Sequence, residues 1–445
     1  MKIRKLQLKN IGVFDDETIE FQKCPEGKAE IHIFTGQNGT GKTTLLMSLA
    51  SGFGDLGLDD KQIGSEEDYL RFDNLFPQFN NNFEKRFQPF DENLIKICFD
   101  KDLLPVVIDG FDRDSYSVEL PYPIYLHSIS TAKRHYFNFR FAVFSFSGYR
   151  HIQGERIEAL YEPRDFNPLS QSLDFIKDYS QENQITINQL IANNISKSAI
   201  EKGRNKEKSE RFAKVLSSIE QIIAEITGWK IEFDMQTEPI NLVTKVNGEE
   251  LEFDVLPDGL RSLISWIADL LGRVDLLKWN DDLPIFEKNL ILFLDEIEVH
   301  LHPAWQRKVL PVVQNLFKNS QIFVSTHSPF VVNSIDDAWV YELKVENGKA
   351  KVAEKSLTKT AYSYQTVLRE IFDIDDRFGE ETQKELDKFY LKSKAVLESN
   401  GNGKVSKKKL LEAAKQLASQ SAELQSLVFL ELARLSNETG ETYEI

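Results

Sequence analysis

The sequence predicts an α/β fold built on a parallel β-sheet. Residues 31–34 alternate as in a strand, a glycine-rich loop follows at residues 36–44, and an apolar helix begins at Leu45. Two later segments, residues 290–294 and 321–325, are almost continuously apolar, which is typical of strands covered on both faces. Such strands form parallel sheets and alternate with helices, so the three segments together favour an α/β architecture.

The loop at residues 36–44 matches the pattern G-x-x-x-x-G-K-[ST] between a strand and a helix, which is typical of a phosphate-binding loop. Its glycines allow backbone N–H groups to point at phosphate oxygens, and the following helix adds the positive end of its dipole. We expect Lys42 to bind the β- and γ-phosphates of ATP and Thr43 to ligate Mg²⁺. The predicted nucleotide-binding residues of this phosphate loop are Gly36, Gln37, Asn38, Gly39, Thr40, Gly41, Lys42, Thr43 and Thr44. The alternative is a glycine-rich turn without a ligand, which leaves the complete motif unexplained.

Polar residues follow both of the later apolar strands. The first strand ends in Asp295 and Glu296, and the second is followed by His327. Because ligands bind at the carboxyl ends of parallel strands, we expect Asp295 to hold Mg²⁺ and Glu296 to polarise an attacking water. His327 is a candidate γ-phosphate sensor. The alternatives are an acidic helix N-terminus for the two carboxylates and an ordinary surface or core histidine for His327.

Composition limits the classes of function. The chain has 445 residues and a formal net charge of −16, so it is not expected to coat nucleic acid over its whole surface. Cys24 and Cys98 form no C-x-x-C pair, which argues against a disulfide framework or a zinc knuckle and favours a reducing cytoplasm. The sequence shows no apolar leader and no run of eighteen apolar residues, so neither secretion nor a membrane association is predicted.

Hydrophobic periodicity predicts four regions. They are an N-terminal lobe with the phosphate loop (residues 1–169), a helical insertion (170–227), a C-terminal lobe (228–357) and a helical C-terminal region that binds a partner (358–445). Strands are predicted at residues 2–8, 18–21, 94–99, 104–108, 115–120, 141–146, 229–234, 240–246, 250–253, 338–343 and 349–354. Helices are predicted at residues 259–277, 304–316, 385–397 and 410–435.

The order of the motifs resembles a known family. The phosphate loop, the segment Leu256–Ser262, Asp295-Glu296 and Ser325-Thr326-His327 follow one another as in the ABC-type ATPases of the SMC, Rad50 and RecF group. Residues 295–303, which read Asp-Glu-Ile-Glu-Val-His-Leu-His-Pro, resemble a bacterial subfamily of stand-alone ATPases. That subfamily includes the PtuA ATPase of Septu and the ATPases of retron anti-phage systems. Residues 6–14 and 364–374 are similar to the same subfamily.

The resemblance implies an ATP-dependent homodimer or higher homo-oligomer. Two heads would sandwich two ATP molecules, with Asp258 and Gly259 of one head facing the phosphate loop of the other. Pro257 stands where the family usually has serine and lacks both a hydroxyl and an N–H group, so slow hydrolysis is expected. Gln153 is the candidate for the glutamine that couples the metal to other parts of the head.

The resemblance also implies that the output is carried by a separate effector, an HNH nuclease, together with a reverse transcriptase and its RNA–DNA hybrid. One alternative is a DNA-repair head that acts directly on DNA, although no sustained heptads precede Asp295. Another is a built-in metal-dependent nuclease at Asp373 and Asp375, although no strand ending in Glu-Gly precedes them. His300 and His302 have a spacing seen in metal sites.

Two basic segments have open interpretations. Lysines and arginines between Lys197 and Lys214 interleave with glutamates, so they form either a solvated helical arm or a local basic patch for nucleic acid. Lys404 and residues 407–409 crowd cations at a helix start, against the helix dipole, which hints at a partner surface.

Overall fold

The computed structural model of the chain contains two compact units, Met1–Phe372 and Asp373–Ile445. It describes residues 1–53, 86, 93–100, 105–112, 115–119, 139–148, 160, 173, 186–238, 240–372, 374, 377–398 and 407–445. Gln153, Asp373, Asp375 and Lys404 lie outside the described residues. The predicted region limits at 169, 227 and 357 stay a prediction.

The first unit is organised around a six-stranded sheet with the order β14-β13-β3-β12-β11-β7. Its strands are β3 (Glu30–Gly36), β7 (Ala142–Phe146), β11 (Leu290–Leu294), β12 (Gln321–Ser325), β13 (Trp339–Glu346) and β14 (Lys349–Leu357). All neighbours pair in parallel except β14, which forms an antiparallel hairpin with β13 at the edge. Every residue of β11 and β12 is buried, so the predicted parallel sheet covered on both faces is confirmed.

One face of this sheet packs on helix α1 (Lys42–Ser51) and on an antiparallel sheet of order β2-β1-β4-β5-β6. The strands of the second sheet are β1 (Ile3–Ile11), β2 (Phe14–Glu20), β4 (Asn93–Phe99), β5 (Val106–Asp112) and β6 (Ser115–Glu119). Ile291 and Phe293 of β11 share a hydrophobic core with Leu45 and Leu49 of α1. Because α1 is buried on nearly every side, the loop before it is held firmly against the sheet.

In the described part of the chain, the opposite face packs against several helices and a three-stranded sheet. Leu292 and Leu294 of β11 share this second core with Leu263 and Trp266. The elements are α2 (Ile187–Glu201), α3 (Lys206–Thr227), α4 (Asp258–Leu276), α5 (Pro303–Leu316) and the sheet of β8 (Ile231–Thr237), β9 (Ile240–Val246) and β10 (Glu249–Glu252). The helical prediction for residues 170–227 is wrong at Leu173, which forms a parallel β-bridge with Ser145.

The described part of the first unit also contains two short helices, α6 (Pro329–Val332) and α7 (Tyr364–Phe372). The second unit contains α8 (Glu380–Glu398), α9 (Lys407–Ala418) and α10 (Ala422–Thr439) around a core that includes Phe389, Leu410 and Val428. The single helix predicted at residues 410–435 is wrong. The helical conformation is interrupted after α9, and the Ser421 side chain caps α10 by accepting a hydrogen bond from the Leu424 N–H. Within the described ranges, no helix combines the length and apolarity needed to cross a bilayer.

Candidate nucleotide-binding site

The strand order brings three segments of the chain to one edge of the central sheet. β12 lies between β3 and β11, and all three strands are parallel. Their carboxyl ends therefore lie side by side. The phosphate loop leaves β3, Asp295 and Glu296 follow β11, and Thr326 and His327 follow β12.

The glycines of the phosphate loop are required by its backbone. Gly36 has φ +139° and Gly41 has φ +91°, backbone conformations that residues with a side chain rarely adopt. A Cβ atom on Gly36 would lie 2.3 Å from the Leu343 carbonyl oxygen, and one on Gly41 would lie 2.7 Å from Val13 Cγ2. Neither position accepts a side chain, which explains two of the glycines in the motif.

Lys42 is buried at the start of α1. Its ammonium donates hydrogen bonds of 2.9 Å to the carbonyl oxygens of Gly36 and Gln37. Burial lowers the pKa of Lys42 to about 8, although three nearby carboxylates, led by Asp295, favour the charged form. Phosphate oxygens bound in the loop would add negative charge beside this ammonium and favour its protonated form.

Thr43 and Asp295 meet where the phosphate loop passes the end of β11. Thr43 Oγ1 donates to Asp295 Oδ2 at 2.9 Å, and Asp295 is only 6% exposed. Ser325 Oγ also donates to Asp295, and it accepts the Glu296 N–H at 2.8 Å. A hydroxyl beside a carboxylate supplies oxygen ligands of the kind that Mg²⁺ takes together with substrate phosphates and water. These residues fit a Mg²⁺–ATP site, in which Thr43 and Asp295 would be the protein ligands.

Glu296 has an unusual backbone conformation for a residue with a side chain, with φ +45°. Gly148, just beyond the end of β7, lies directly beside it, since a Cβ atom on Gly148 would be 2.9 Å from Glu296 Oε2. The Glu296 N–H is held by Ser325. Strained backbone that is held by its surroundings is concentrated at functional sites, which suits the predicted role in orienting water.

His327 is fixed through its backbone. Its N–H donates to Glu298 Oε1 at 2.5 Å, and the neighbouring Thr326 hydroxyl donates to Glu298 Oε2 at 2.8 Å. Burial lowers the pKa of His327, and the charge on Lys42 lowers it further. The imidazole is therefore neutral at neutral pH, when one of its nitrogens donates a hydrogen bond and the other accepts one.

The segment around Asp258 lies at a different place in the same unit. Helix α4 begins at Asp258 directly after Pro257, and Asp258 pairs with Arg261, which lowers the pKa of Asp258. A Cβ atom on Gly259 would be 2.5 Å from the His300 carbonyl oxygen. The neighbours of Gly259 thus belong to the segment after β11, whereas Lys42, Thr43 and Asp295 form the cluster at the strand ends.

His300 and His302, whose spacing is seen in metal sites, have different structural roles. His300 adopts a left-handed backbone, with φ +64°. His302 Nδ1 accepts the Ala304 N–H at 3.2 Å and so caps α5. Among the residues that the structure describes, no group of three or more His, Cys, Asp or Glu side chains is arranged to hold a metal ion.

Comparison with protein families gives two matches. Residues 31–333 match the family described as "AAA domain, putative AbiEii toxin, Type IV TA system", which covers more than half of the chain. The chain belongs to this AAA family. Residues 1–54 also match a second family described as "AAA domain". The AAA domain thus contains the phosphate loop, Asp295, Glu296 and His327, and the α/β fold with a P-loop is confirmed.

Individual relatives are bacterial proteins named as retron ATPases and as Septu PtuA. The AAA domain protein is 31% identical over 174 residues to "Retron Ec83 probable ATPase" of Escherichia coli, covering 39% of this chain and 31% of that protein. It is 31% identical over 121 residues to "Retron Vc95 probable ATPase" of Vibrio cholerae serotype O1 biovar El Tor, covering 27% and 23%. It is 23% identical over 148 residues to "Septu protein PtuA" of Bacillus thuringiensis, covering 32% and 37%. Each match spans less than half of the relative's length.

A solved SMC head bound to the C-terminal winged-helix domain of ScpA aligns with 81% of the chain. The TM-score of that alignment is 0.45 and the sequence identity is 16%.

Three residues of this AAA site have no role assigned from the motifs, although Ser325 and Glu298 lie within them. Ser325 connects Asp295 to Glu296, and Glu298 holds the segment that carries His327. Arg86 donates to Oγ1 of Thr44, the last residue of the phosphate loop, at 2.6 Å. The only signals in the sequence are a serine that ends an apolar strand and a second glutamate after Asp295-Glu296.

Proposed function

We propose that this AAA domain protein binds Mg²⁺–ATP and hydrolyses it slowly. The observation that carries this proposal is the hydrogen bond between Thr43 and Asp295, which joins the phosphate loop to the end of β11. Lys42 would bind the β- and γ-phosphates, and Mg²⁺ would supply charge neutralisation between the phosphates. Glu296 would orient the attacking water, and His327 would contact the γ-phosphate.

We further infer that two copies assemble around ATP. The first turn of α4, with Asp258 and Gly259, would face the phosphate loop of the second copy. A helix N-terminus offers N–H groups and a positive dipole end to a γ-phosphate, which supports this arrangement. Pro257 precedes the helix and provides neither a hydroxyl nor an N–H there, in keeping with slow turnover.

The assembled heads would control a separate effector in anti-phage defence. This part of the proposal rests on the likeness to the retron and Septu proteins. We propose an HNH nuclease as the effector, with a reverse transcriptase and its RNA–DNA hybrid as further partners, bound through the helical region 358–445. The free cysteines Cys24 and Cys98 suit a reducing cytoplasm.

Two observations bear on direct contact with nucleic acid. In the basic segment of α2 and α3, Arg211 is held by Asp275 at 2.9 Å and Lys206 lies 3.6 Å from Glu210, which favours a solvated arm over a phosphate-binding surface. Helices α2 and α3 have 15 and 22 residues, short for the coiled-coil arm of a repair head.

A phage challenge tests the proposal. Cells would carry the gene with its genomic neighbours, and the efficiency of plating would be compared for the parent, Lys42→Ala and Glu296→Gln. We expect both variants to lose protection while Lys349→Ala, which breaks only a surface ion pair with Asp15, keeps it. Full protection by Lys42→Ala would overturn the proposal.

A further inference from the structure

Glu298 occupies a specific place between two of the strand ends. It lies beyond β11, three residues after Asp295, yet its carboxylate accepts hydrogen bonds from two residues that follow β12. Oε1 accepts the His327 N–H at 2.5 Å and Oε2 accepts the Thr326 hydroxyl at 2.8 Å. Burial raises the pKa of the Glu298 carboxyl, and the hydrogen bonds from His327 and Thr326 oppose that shift.

A second side chain from the same region holds the other end of the His327 segment. Gln306 of α5 accepts a hydrogen bond from the Ser328 hydroxyl at 2.5 Å, and its amide donates to the Leu301 carbonyl oxygen at 2.8 Å. Ser328 in turn caps α6. The segment that carries His327 is therefore hydrogen-bonded on both sides of that residue, and both attachments are made to the stretch from Glu296 to Gln306.

We propose that Glu298 is a positioning residue for ATP hydrolysis that acts through His327. The carboxylate makes the location of His327 depend on the segment that carries Glu296, so the residue that orients water and the residue that contacts the γ-phosphate move together. Gln306 adds a second attachment at Ser328. We call the two attachments together, Glu298 to Thr326 and His327 and Gln306 to Ser328, the clamp. The inference rests on the proposed function, because it assigns a role within the same hydrolytic site.

The geometry sets the expected size of the effect. Glu298 makes no hydrogen bond to Lys42 or Thr43 and acts on Lys42 through its charge, as the weakest of the three carboxylates, so its loss leaves the hydrogen bonds of both residues in place. A displacement of about 1 Å in a reacting group can lower a rate about 100-fold. We therefore expect Glu298→Ala to lower kcat by roughly 10- to 100-fold, with little change in ATP affinity.

Kinetics on five variants test the coupling. Glu298→Ala, His327→Ala and the double variant would be compared with Glu220→Ala, a matched control. Glu220 accepts the Phe233 N–H at 2.9 Å but joins α3 to β8, away from the strand ends. Because Glu298 acts through His327, adding Glu298→Ala to His327→Ala should change kcat less than about twofold. Glu298→Gln, whose amide oxygen accepts one of the two bonds, should give an intermediate kcat. Independent, multiplicative losses would overturn the proposal.

A second measurement does not depend on hydrolysis. Hydrogen exchange of peptides spanning residues 322–332, followed by mass spectrometry, should accelerate in Glu298→Ala and not in Glu220→Ala. If the parent protein hydrolyses no ATP but exchange accelerates as expected, the proposed hydrolysis fails and the clamp stands. If exchange in Glu298→Ala equals that of the parent, the clamp is wrong whatever the hydrolysis rate.

Discussion

Thr43 Oγ1 and Asp295 Oδ2 lie 2.9 Å apart although 252 positions separate the two residues in the sequence. The contact exists because β3 and β11 flank β12 in a parallel sheet, which places the first turn of α1 beside the end of β11. Mg²⁺ bound with ATP would take oxygen ligands from this pair. The pair is therefore the first target for mutation.

Thr43→Val should abolish the contribution of Mg²⁺ to ATP binding, because it removes a ligand and leaves Asp295 with one donor fewer. We expect affinity in Mg²⁺ to fall roughly 10- to 100-fold, about 1.4–2.8 kcal/mol. Thr43→Ser keeps the hydroxyl and should bind within about twofold of the parent. Titration of a fluorescent ATP analogue with Mg²⁺ and with EDTA measures both. Equal behaviour of the valine and serine variants would remove Thr43 from the metal shell.

Lys42→Ala should abolish ATP binding, because the phosphates lose the cation that the phosphate loop places beside them. The loss of charged hydrogen bonds worth about 1.5–3 kcal/mol each predicts a decrease in affinity of at least roughly 100-fold. The same fluorescent titration provides the measurement, and circular dichroism checks that the fold is retained. Unchanged affinity would refute the nucleotide site itself.

Glu296→Gln should separate binding from hydrolysis. The amide keeps the shape of the side chain and leaves Asp295 in place, but it cannot accept a proton from water. ATP should then remain bound, and assemblies held together by ATP should accumulate. Light scattering with ATP should show an increase in mass relative to the parent. Hydrolysis at the parent rate would mean that another residue orients the water.

The parts of the site that could be predicted from the sequence are those with local patterns. The strand limits 290–294 and 321–325 are confirmed because continuous apolar runs end there in polar residues. The phosphate loop is fixed by sterics at Gly36 and Gly41, so it appears as a motif. The roles of Lys42, Thr43, Asp295, Glu296, His327, Asp258 and Gly259 stay predictions until they are measured.

The parts that could not be predicted depend on the order of strands. Ser325 reaches Asp295 and Glu298 reaches His327 because β12 lies beside β11, and no local pattern specifies that neighbour. The error at Leu173 has a similar cause. An apolar residue at helix-like spacing is held in a β-bridge by Ser145, and this tertiary contact overrides the periodicity.

The stability of the folded protein should depend on a buried polar cluster around His32 of β3. His32 is fully buried, and it lies 2.9 Å from Glu30 Oε1 and 3.2 Å from the Tyr341 hydroxyl. Burial lowers the pKa of His32 below the ordinary value of 6.5. Burial opposes ionisation of Glu30, but hydrogen bonds from His32 and Arg4 outweigh it and hold the pKa at about 2.

The sign of the pH dependence follows from these shifts. The unfolded chain binds a proton at His32 below about pH 6.5, whereas the folded protein does not, so stability is lost as the pH falls below that value. The expected slope is at most about 1.4 kcal/mol per pH unit for this one proton. Thermal unfolding would be measured from about pH 7.5 down to about pH 5, a range that spans the ordinary pKa of histidine. The midpoint temperature should fall as the pH falls. His32→Gln should be less stable but should show a flatter profile, and an equal slope in both proteins would contradict the assignment.

The purified chain should not cut DNA by itself. Cleavage of a phosphodiester bond needs a metal cluster or an activated nucleophile. In the described part of the chain, Asp295 would be committed to the proposed ATP site, and no separate cluster of metal ligands occurs. Burial raises the pKa of Cys24 to about 11, which keeps that thiol protonated and unreactive.

Supercoiled plasmid incubated with the protein and Mg²⁺ or Mn²⁺, with and without ATP, decides the question. We expect no nicking above that of a Lys42→Ala preparation, because the described residues, which both proteins share, hold no cleavage site apart from the ATP site, and any residual cutting would be a contaminant. Asp373 and Asp375 lie outside the described residues, so the Asp373→Ala/Asp375→Ala double variant provides the discriminating arm. Nicking that persists in Lys42→Ala and disappears in this double variant would place a nuclease in the C-terminal region, and it would replace the model in which a separate effector acts.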